Sequence, residues 1–302
     1  MKNKTSSISI VIPVFNGERF ITDALNSIEV PPNVDVEVIV INDKSTDSTS
    51  EVLQAFGRDI IIIDNETNQG ASHSRNRGIL ASTGQFIAFL DADDIWLPKK
   101  LCRQIKILEE NPSCKMTYGD SPIISFDKYT SKPSDDGSYS DYPHTVKSVE
   151  DIFINPYFST STILVERDLC IAVGLFREDL KTAEDIDLCL KLAALTQVVK
   201  MDMPLSITRR VEGSLGASAT SYQDNLTVIE SFVMTNPEFA QNNSGLVKKA
   251  KRKIYDDWLK DLIVSRQINK AINLCVKSFH IKPSKLTVSL LFKALILRLK
   301  YR

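Results

Sequence analysis

Acidic side chains are missing altogether from the end of the chain: Leu262 to Arg302, 41 residues, holds nine Lys or Arg and no Asp or Glu. Subtracting that +9 from the formal net charge of -1 leaves -10 on the first 261 residues. A near-neutral total gives no whole-molecule attraction to nucleic acid, so none is expected as a partner; the basic tail instead suits an anionic surface. No uninterrupted apolar run approaches the roughly 20 residues that a bilayer span needs. The opening MKNKTSSISIVIPVF enters a strand-like run too early for a signal peptide, so the expectation is a soluble or peripheral protein. Cysteine is sparse and odd in number, at 102, 114, 170, 189 and 275, with no C-x-x-C pair. That speaks against a disulfide framework or zinc knuckle and for a reducing cytoplasm. Neither G-x-G-x-x-G nor G-x-x-x-x-G-K-[ST] occurs, which counts against dinucleotide-dependent dehydrogenases and P-loop phosphotransferases.

What is present is alternation. Ile- and Val-rich runs at Ile8–Val14, Val36–Ile41, Ile60–Ile63 and Phe86–Leu90 are separated by helical periods at Phe20–Ile28, Ser48–Phe56 and Ala71–Ala81. Strand, helix, strand in this order predicts an α/β fold with a mostly parallel sheet flanked by helices. Phe126–His144, rich in Ser, Asp, Tyr and Pro, reads as a long loop. Regular structure resumes at Thr162–Val165, with a helix over Asp185–Leu195 and an apolar run near Val198–Met203. Past about Ser221 the period is helical to the end. The expected organisation is a catalytic domain over 1–220, divided into a nucleotide-binding half (1–115) and an acceptor half (116–220), then a helical C-terminal extension over 221–302.

In such sheets ligands bind beyond the carboxyl ends of the strands. Three strand ends here carry polar chemistry: PVFNGE at 13–18, NDKSTD at 42–47 and DADD at 91–94. Hard divalent cations favour oxygen ligands and are commonly held by one or two carboxylates plus substrate phosphates, which suits DADD; an isolated D-x-D reads equally as an acidic turn capping the next helix. Asp43 has a carboxylate for a base or ribose, while Ser45, Thr46 and Asp47 have the chemistry of a helix cap. Arg75 and Arg77 in GASHSRNRG bring guanidinium groups within reach of phosphates, or lie on the surface. Glu184 and Asp185 open the amphipathic segment TAEDIDLCLKLA, where acids also complement a helix N-terminus.

Taken together, SIVIPVFNGERFITDALNSI, VIVINDKSTDST, NQGASHSRNRGILASTGQFIAFLDADD and AEDIDLCLKLA resemble, in that order, the family 2 glycosyltransferases of the GT-A fold, over roughly residues 6–215. The resemblance implies that Pro13, Val14 and Asn16 line a nucleotide pocket, that Asp43 contacts the base and that Arg75 sits beside it. It further implies Asp91 on the donor ribose, Asp93 on a Mg²⁺ or Mn²⁺ ion with Asp94 as a neighbour, Asp185 as catalytic base and Glu184 orienting acceptor or base. Arg210, in TRRVEGSLGAS, resembles an arginine near the donor phosphates. Two positions depart from the pattern: Phe15 where tyrosine is common, and Glu212 where histidine is common, an acid that would repel phosphate.

The implied reaction is an inverting transfer of a sugar from a nucleotide diphosphate donor, a UDP-sugar favoured, to an acceptor hydroxyl. It needs a base on one side of the reacting carbon and a cation on the other. A lipid-linked saccharide of bacterial surface-polysaccharide synthesis is the acceptor the family suggests. Other readings are a nucleotidyltransferase, which would not need the second acidic motif, and a non-catalytic sugar-nucleotide-binding or scaffold protein of a polysaccharide assembly. The tail KLTVSLLFKALILRLKYR at 285–302 forms a helix with Val288, Leu291, Phe292, Leu295, Ile296 and Leu299 on one apolar face. It reads either as a docked terminal helix or as a peripheral contact with the inner face of the plasma membrane.

Overall fold

The computed structural model describes residues 6–125, 143–210, 221–278, 281 and 285–300. The first half of the chain runs β1 (Ser7–Val14), α1 (Ile21–Asn26), β2 (Asp35–Asn42), α2 (Thr49–Gln54), β3 (Ile61–Asp64), α3 (Ala71–Ala81), β4 (Phe86–Phe89), β5 (Ile95–Trp96) and α4 (Lys100–Glu110). There follow β6 (Cys114–Asp120), β7 (Ile123–Ser125), β8 (His144–Lys147), α5 (Val149–Ile154), a 3₁₀ turn at Thr160–Thr162, β9 (Leu164–Glu166), α6 (Arg167–Ala172), α7 (Glu184–Ala193), β10 (Gln197–Pro204) and β11 (Ser206–Arg210). The remaining helices are α8 (Ser221–Thr235), α9 (Pro237–Asn242), α10 (Ser244–Val264), α11 (Ile268–Ser278) and α12 (Lys285–Lys300).

The main sheet has eight strands in the order β3-β2-β1-β4-β9-β6-β10-β8. Pairs β1/β2, β2/β3, β1/β4 and β6/β10 are parallel, as expected, whereas β9 runs antiparallel to both β4 and β6. This inversion has a consequence. The segment that enters β9 reaches the same edge of the sheet as the carboxyl ends of β1, β2 and β4. Strands β5, β11 and β7 form a second, three-stranded sheet. The expected loop at Phe126–His144 needs one correction: residues 126–142 lie outside the described residues, and His144 opens β8, which pairs with β10. The β8 sequence, HTVK, is too short and too polar to register as an apolar strand.

Strand β1 shows why this sequence forms a central strand. Every residue of SISIVIPV after the first is buried, and its β-branched side chains suit a pleated surface covered on both faces. Ile8, Ile10, Ile12 and Val14 join Ile21 and Leu25 of α1 and Leu101, Ile105 and Leu108 of α4 in one core. The alternate residue Val11 meets Gly78 of α3.

The chain divides into two compact units, one of Met1–Ile152, Pro156–Leu180 and Glu184–Leu215, the other of Phe153–Asn155, Lys181–Ala183 and Gly216–Arg302. In the second, Leu259, Leu262 and Ile263 of α10 pack with Ala271, Leu274 and Cys275 of α11 and with Leu290 and Ala294 of α12.

Gly78 sets how closely α3 approaches β1. A Cβ there would land on Val11 Cγ1 and lie 3.0 Å from Cγ2 and 3.2 Å from Cβ, so no rotation of the valine clears it. Alanine favours an ordinary helix interior by about 1 kcal/mol over glycine, but overpacking a closed core costs about 1–3 kcal/mol. Gly78→Ala is therefore expected to lower the denaturant midpoint. An unchanged or raised midpoint would show that the helix and strand separate at no cost.

Candidate functional site

The carboxyl ends of β1, β2 and β4 open onto a cleft of about 580 Å³. Pro13, Val14, Asn16, Asp43, Arg75, Asp91, Asp93 and Glu184, all singled out in the sequence, line it together with Phe15, Phe20, Asn68, Gly70 and Ser74. Asp94 and Asp185 are not part of the wall. Arg210 ends β11 in register with Ser125, and its side chain lies outside the described residues, as does Glu212.

The first two strand ends are tied to each other. Asn16 adopts φ 51°, and its Oδ1 accepts the Thr46 backbone N–H at 2.8 Å and the Thr46 hydroxyl at 3.2 Å. Its own N–H donates to Ser45 Oγ at 3.0 Å. Ser45 and Thr46 thus brace the neighbouring loop, and Asp47 does the capping, its Oδ1 accepting the Thr49 N–H at 3.0 Å. Asp43 is buried, and its carboxylate accepts Asn65 Nδ2 at 2.5 Å and the backbone N–H groups of Gln69 at 2.9 Å and Gly70 at 2.7 Å. These bonds fix the entry to α3, where Gly70 takes φ 88°, a left-handed conformation that glycine adopts without strain. Arg77 donates to the Asp64 carbonyl at 2.9 Å and to Asn65 Oδ1, and is not part of the cleft wall.

Arg75 lies at the centre. Buried in α3, it donates through Nη2 to Asp91 at 2.7 Å and through Nη1 to Glu184 at 3.0 Å, with its guanidinium 5.4 Å from the Phe176 ring centroid. Asn76 holds that ring in place: its Oδ1 accepts the Phe176 N–H at 2.9 Å and its Nδ2 donates to the Phe176 carbonyl at 2.9 Å. Burial alone would weaken the charge on Arg75, but Asp91 and then Glu184 outweigh it and raise the pKa above the usual arginine value.

The DADD turn is fixed at almost every residue. The Asp94 N–H donates to the Asp91 carbonyl at 3.0 Å, and Arg209 Nε donates to the Asp93 carbonyl at 2.5 Å. Asp94, expected as a neighbour of the metal, is buried beneath the cleft and accepts the Ser161 hydroxyl at 2.5 Å. Burial, then Asp91 and Asp93, hold its carboxyl well above the usual range. Burial and the Asp91 charge push Asp93 up to about 6. Two like charges crowded at a cleft are what a hard divalent cation relieves. Among the described residues no three His, Cys, Asp or Glu side chains form a ready-made cation site. The donor set nevertheless fits an ion held by one or two carboxylates and completed by phosphate oxygens, so Asp93, with Asp91 beside it, would hold one.

Asp185 follows Glu184 into α7 and accepts the Ile186 N–H at 2.8 Å. Burial and then the adjacent Glu184 charge push it up to about 7. Sequence reasoning missed Arg209, which is buried and also donates to Asp23 at 2.8 Å and to the Phe20 carbonyl at 3.3 Å. The signal was available: Arg209 follows the buried Ile207 at the two-residue period of β11, while the resemblance directs attention to Arg210.

Residues 9–174 match the model of the family Glycosyl transferase family 2. An uncharacterised glycosyltransferase of Haemophilus influenzae is 26% identical over 78% of this chain and 80% of its own length. Another, of Rickettsia bellii, is 28% identical over 79% of this chain, which spans only 34% of that relative. TuaG of Bacillus subtilis, named for teichuronic acid biosynthesis, is 26% identical over 64% of this chain and 74% of its own length. Among solved structures, Staphylococcus aureus TarS 1-349 in complex with UDP-GlcNAc superposes with TM-score 0.69 at 19% identity, covering 93% of this chain and 82% of that one. The mannosyltransferase PcManGT of Pyrobaculum calidifontis, in complex with GDP-Man and Mn²⁺, gives 0.62 at 16% identity, over 97% and 80%. At those identities the likeness shows the fold, which is GT-A. The family model spans the strand ends, the Arg75 helix and the DADD turn that together build the cleft, and the chain belongs to glycosyl transferase family 2.

Proposed function

We propose that this chain is an inverting, metal-dependent glycosyltransferase that takes a sugar from a nucleotide diphosphate donor, a UDP-sugar favoured. Residues 1–220 act as the catalytic part (1–115 for the nucleotide, 116–220 for the acceptor), and 221–302 as a helical extension. The observation that carries the reading is Arg75, whose two carboxylate partners come from the first and second acidic motifs and so gather both around one cleft. Neighbours solved with UDP-GlcNAc and with GDP-Man and Mn²⁺ support donor class and cation.

In this reading Pro13, Val14 and Asn16 shape the nucleotide pocket, Asp43 faces the base, Asp91 the ribose and Arg210 the phosphates. A cation at Asp93 supplies stabilisation of charge on the departing diphosphate. The acceptor oxygen bonds to the anomeric carbon as the bond to the diphosphate breaks; the bonding pair leaves with the diphosphate, and the acceptor proton passes to Asp185 with Glu184 orienting it. Attack from the face opposite the leaving group inverts the configuration.

The acceptor fits a membrane-bound saccharide. Helix α12 packs on α10 and α11 of the same C-terminal unit, not on the catalytic part, through Leu290 and Ala294, with Leu291 half-buried in that contact. On the opposite side Val288, Phe292, Leu295 and Ile296 remain 38%, 62%, 39% and 63% exposed. An exposed apolar face on an acid-free, basic segment matches an anionic leaflet, at about 1 kcal/mol per basic residue near the surface. We therefore place the enzyme at the inner face of the membrane, with a lipid-linked saccharide of surface-polysaccharide synthesis as acceptor; TuaG's name points the same way.

Three outcomes test these assignments. Calorimetry is expected to find tight UDP binding only with Mg²⁺ or Mn²⁺, and Asp93→Ala loses that metal-dependent component; binding equal to the parent removes Asp93 from the site. Asp185→Asn keeps donor binding but transfers about 10²–10⁴-fold more slowly. In the parent the base must be ionised, so with a carboxyl at about 7 the rate falls as the pH drops through that value. A rate flat from pH 5 to 8, or near-normal turnover by the variant, means that another group takes the proton. In vesicle sedimentation, Phe292→Glu with Ile296→Glu leaves the α10 and α11 core covered and is expected to abolish recovery with anionic vesicles at low salt. Equal recovery of variant and parent in the supernatant sinks the membrane placement.

A further inference from the structure

The geometry points to Ser161 as a positioning residue that holds the DADD turn in the shape in which Asp91 and Asp93 meet the metal–nucleotide; the inference rests on the donor-site reading above. Ser161 is fully buried, in the 3₁₀ turn Thr160–Thr162 that leads into β9. Because β9 is inverted in the sheet, this turn arrives at the strand-end edge from a part of the chain far from the DADD motif.

Its bonds all go to one short segment. The hydroxyl donates to Asp94 Oδ2 at 2.5 Å and accepts the Asp91 N–H at 3.0 Å, and the Ser161 carbonyl accepts the Trp96 indole N–H at 2.7 Å. A serine hydroxyl offers one proton and two lone pairs, so a single oxygen here ties both ends of Asp91–Asp94. The turn is also closed from the other side by Arg209 on the Asp93 carbonyl. Side chains 91 and 93 are left to line the cleft while the backbone and Asp94 are committed.

Ser161 is itself held from behind. Gln104 Nε2 donates to the Thr162 carbonyl at 2.8 Å and to Thr117 Oγ1 at 3.0 Å, and Gln104 Oε1 accepts from Lys100 Nζ at 2.7 Å. Lys100 Nζ in turn lies 4.0 Å from the centroid of the Trp96 ring, whose N–H edge bonds the Ser161 carbonyl. Such a chain of satisfied buried polar groups defines one geometry, because any shift orphans a donor or an acceptor. Groups that orient metal-binding side chains typically change metal affinity about 10–100-fold when removed.

The test measures binding and not turnover. UDP is titrated calorimetrically with Mn²⁺ and with chelator into the full-length parent, Ser161→Ala, Trp96→Phe and Ser9→Ala. Ser9 is a matched control: it is equally buried, and its hydroxyl donates to the Glu37 carboxylate of β2 and accepts the N–H of Gly84, two residues before β4, at 2.8 Å. Ser161→Ala is expected to weaken Mn²⁺-dependent binding about 10–100-fold and the metal-independent part, which involves Asp91 but not Asp93, by a clearly smaller factor, whereas Ser9→Ala lowers thermal stability without changing either. Trp96→Phe removes the N–H donated to the Ser161 carbonyl together with one ring of the buried indole, leaves the Ser161 hydroxyl paired with Asp91 and Asp94, and weakens Mn²⁺-dependent binding to a smaller degree. A Ser161→Ala protein that binds as the parent does overturns the inference, and so does one whose metal-dependent and metal-independent binding fall alike. If Ser161→Ala does not fold, parent-like affinity in Trp96→Phe overturns it. A parent that shows no Mn²⁺-dependent binding sinks the donor-site reading itself, a separate result.

Discussion

A single buried guanidinium sets the terms for this cleft. Arg75 cannot lose its proton, and its two carboxylate partners, Asp91 and Glu184, lie 93 positions apart in the sequence. Breaking one arm of a buried, charge-paired network typically costs about 3–5 kcal/mol, because the remaining charge is left without compensation. The surrounding structure is arranged so that neither arm opens. Gly78 lets α3 lie against β1 closely enough to present Arg75 at the strand ends, Asn76, the next residue of the same helix, grips the Phe176 backbone, and the Phe176 ring supports the guanidinium. One helix therefore positions the first acidic motif, the second acidic motif and the loop leading to it.

The acids around Arg75 are not equivalent, and the difference has a thermodynamic sign. Asp93 and Asp185 titrate at about 6 and about 7 in the folded chain, against 3.8 for an ordinary aspartate. Between those values the folded state holds protons that the unfolded state has released, so stability falls as the pH rises through that window. Near neutrality the cleft is thus destabilised by its own carboxylates. In the proposed function a cation held at Asp93 would relieve one part of this and a proton accepted at Asp185 another, so the empty cleft would be its least favourable state.

How much of this was legible in the sequence depended on range. The strands β1, β2 and β4 were readable because central parallel strands are nearly continuous apolar runs, the more exposed edge strand β3 because of its repeated Ile, and α3 was bounded correctly by Gly70 and Ser82. The cleft residues at the strand ends followed from topology and from the family motifs. The misses share a cause. Strand β6, CKMTYGD, carries too few apolar residues to announce itself, yet it is almost wholly buried because β9 and β10 cover its edges. Ser161 and Asn65 act through partners 9 to 70 positions away, and no local pattern distinguishes them from ordinary buried polar residues, while Arg209 reaches 189 positions back to Phe20. Asn16 was found for its place in the motif, but its side-chain oxygen is spent on Thr46. Asp94 shares a motif with two cleft carboxylates and faces the other way, toward Ser161.

The end of the chain shows why periodicity alone left two readings open. An apolar stripe that covers one side of a helix identifies the side that packs. In KLTVSLLFKALILRLK the apolar residues nearly encircle the helix, so the pattern could not choose between docking on protein and facing lipid. In the fold Leu290 and Ala294 meet α10 and α11 in the core. Phe292 and Ile296 are left outside, where each would gain about 1.5–3 kcal/mol if covered. A helix already secured on one side needs no folding free energy from the other, so Val288, Phe292, Leu295 and Ile296 stay exposed, and in the proposed function theirs is the face that meets the membrane.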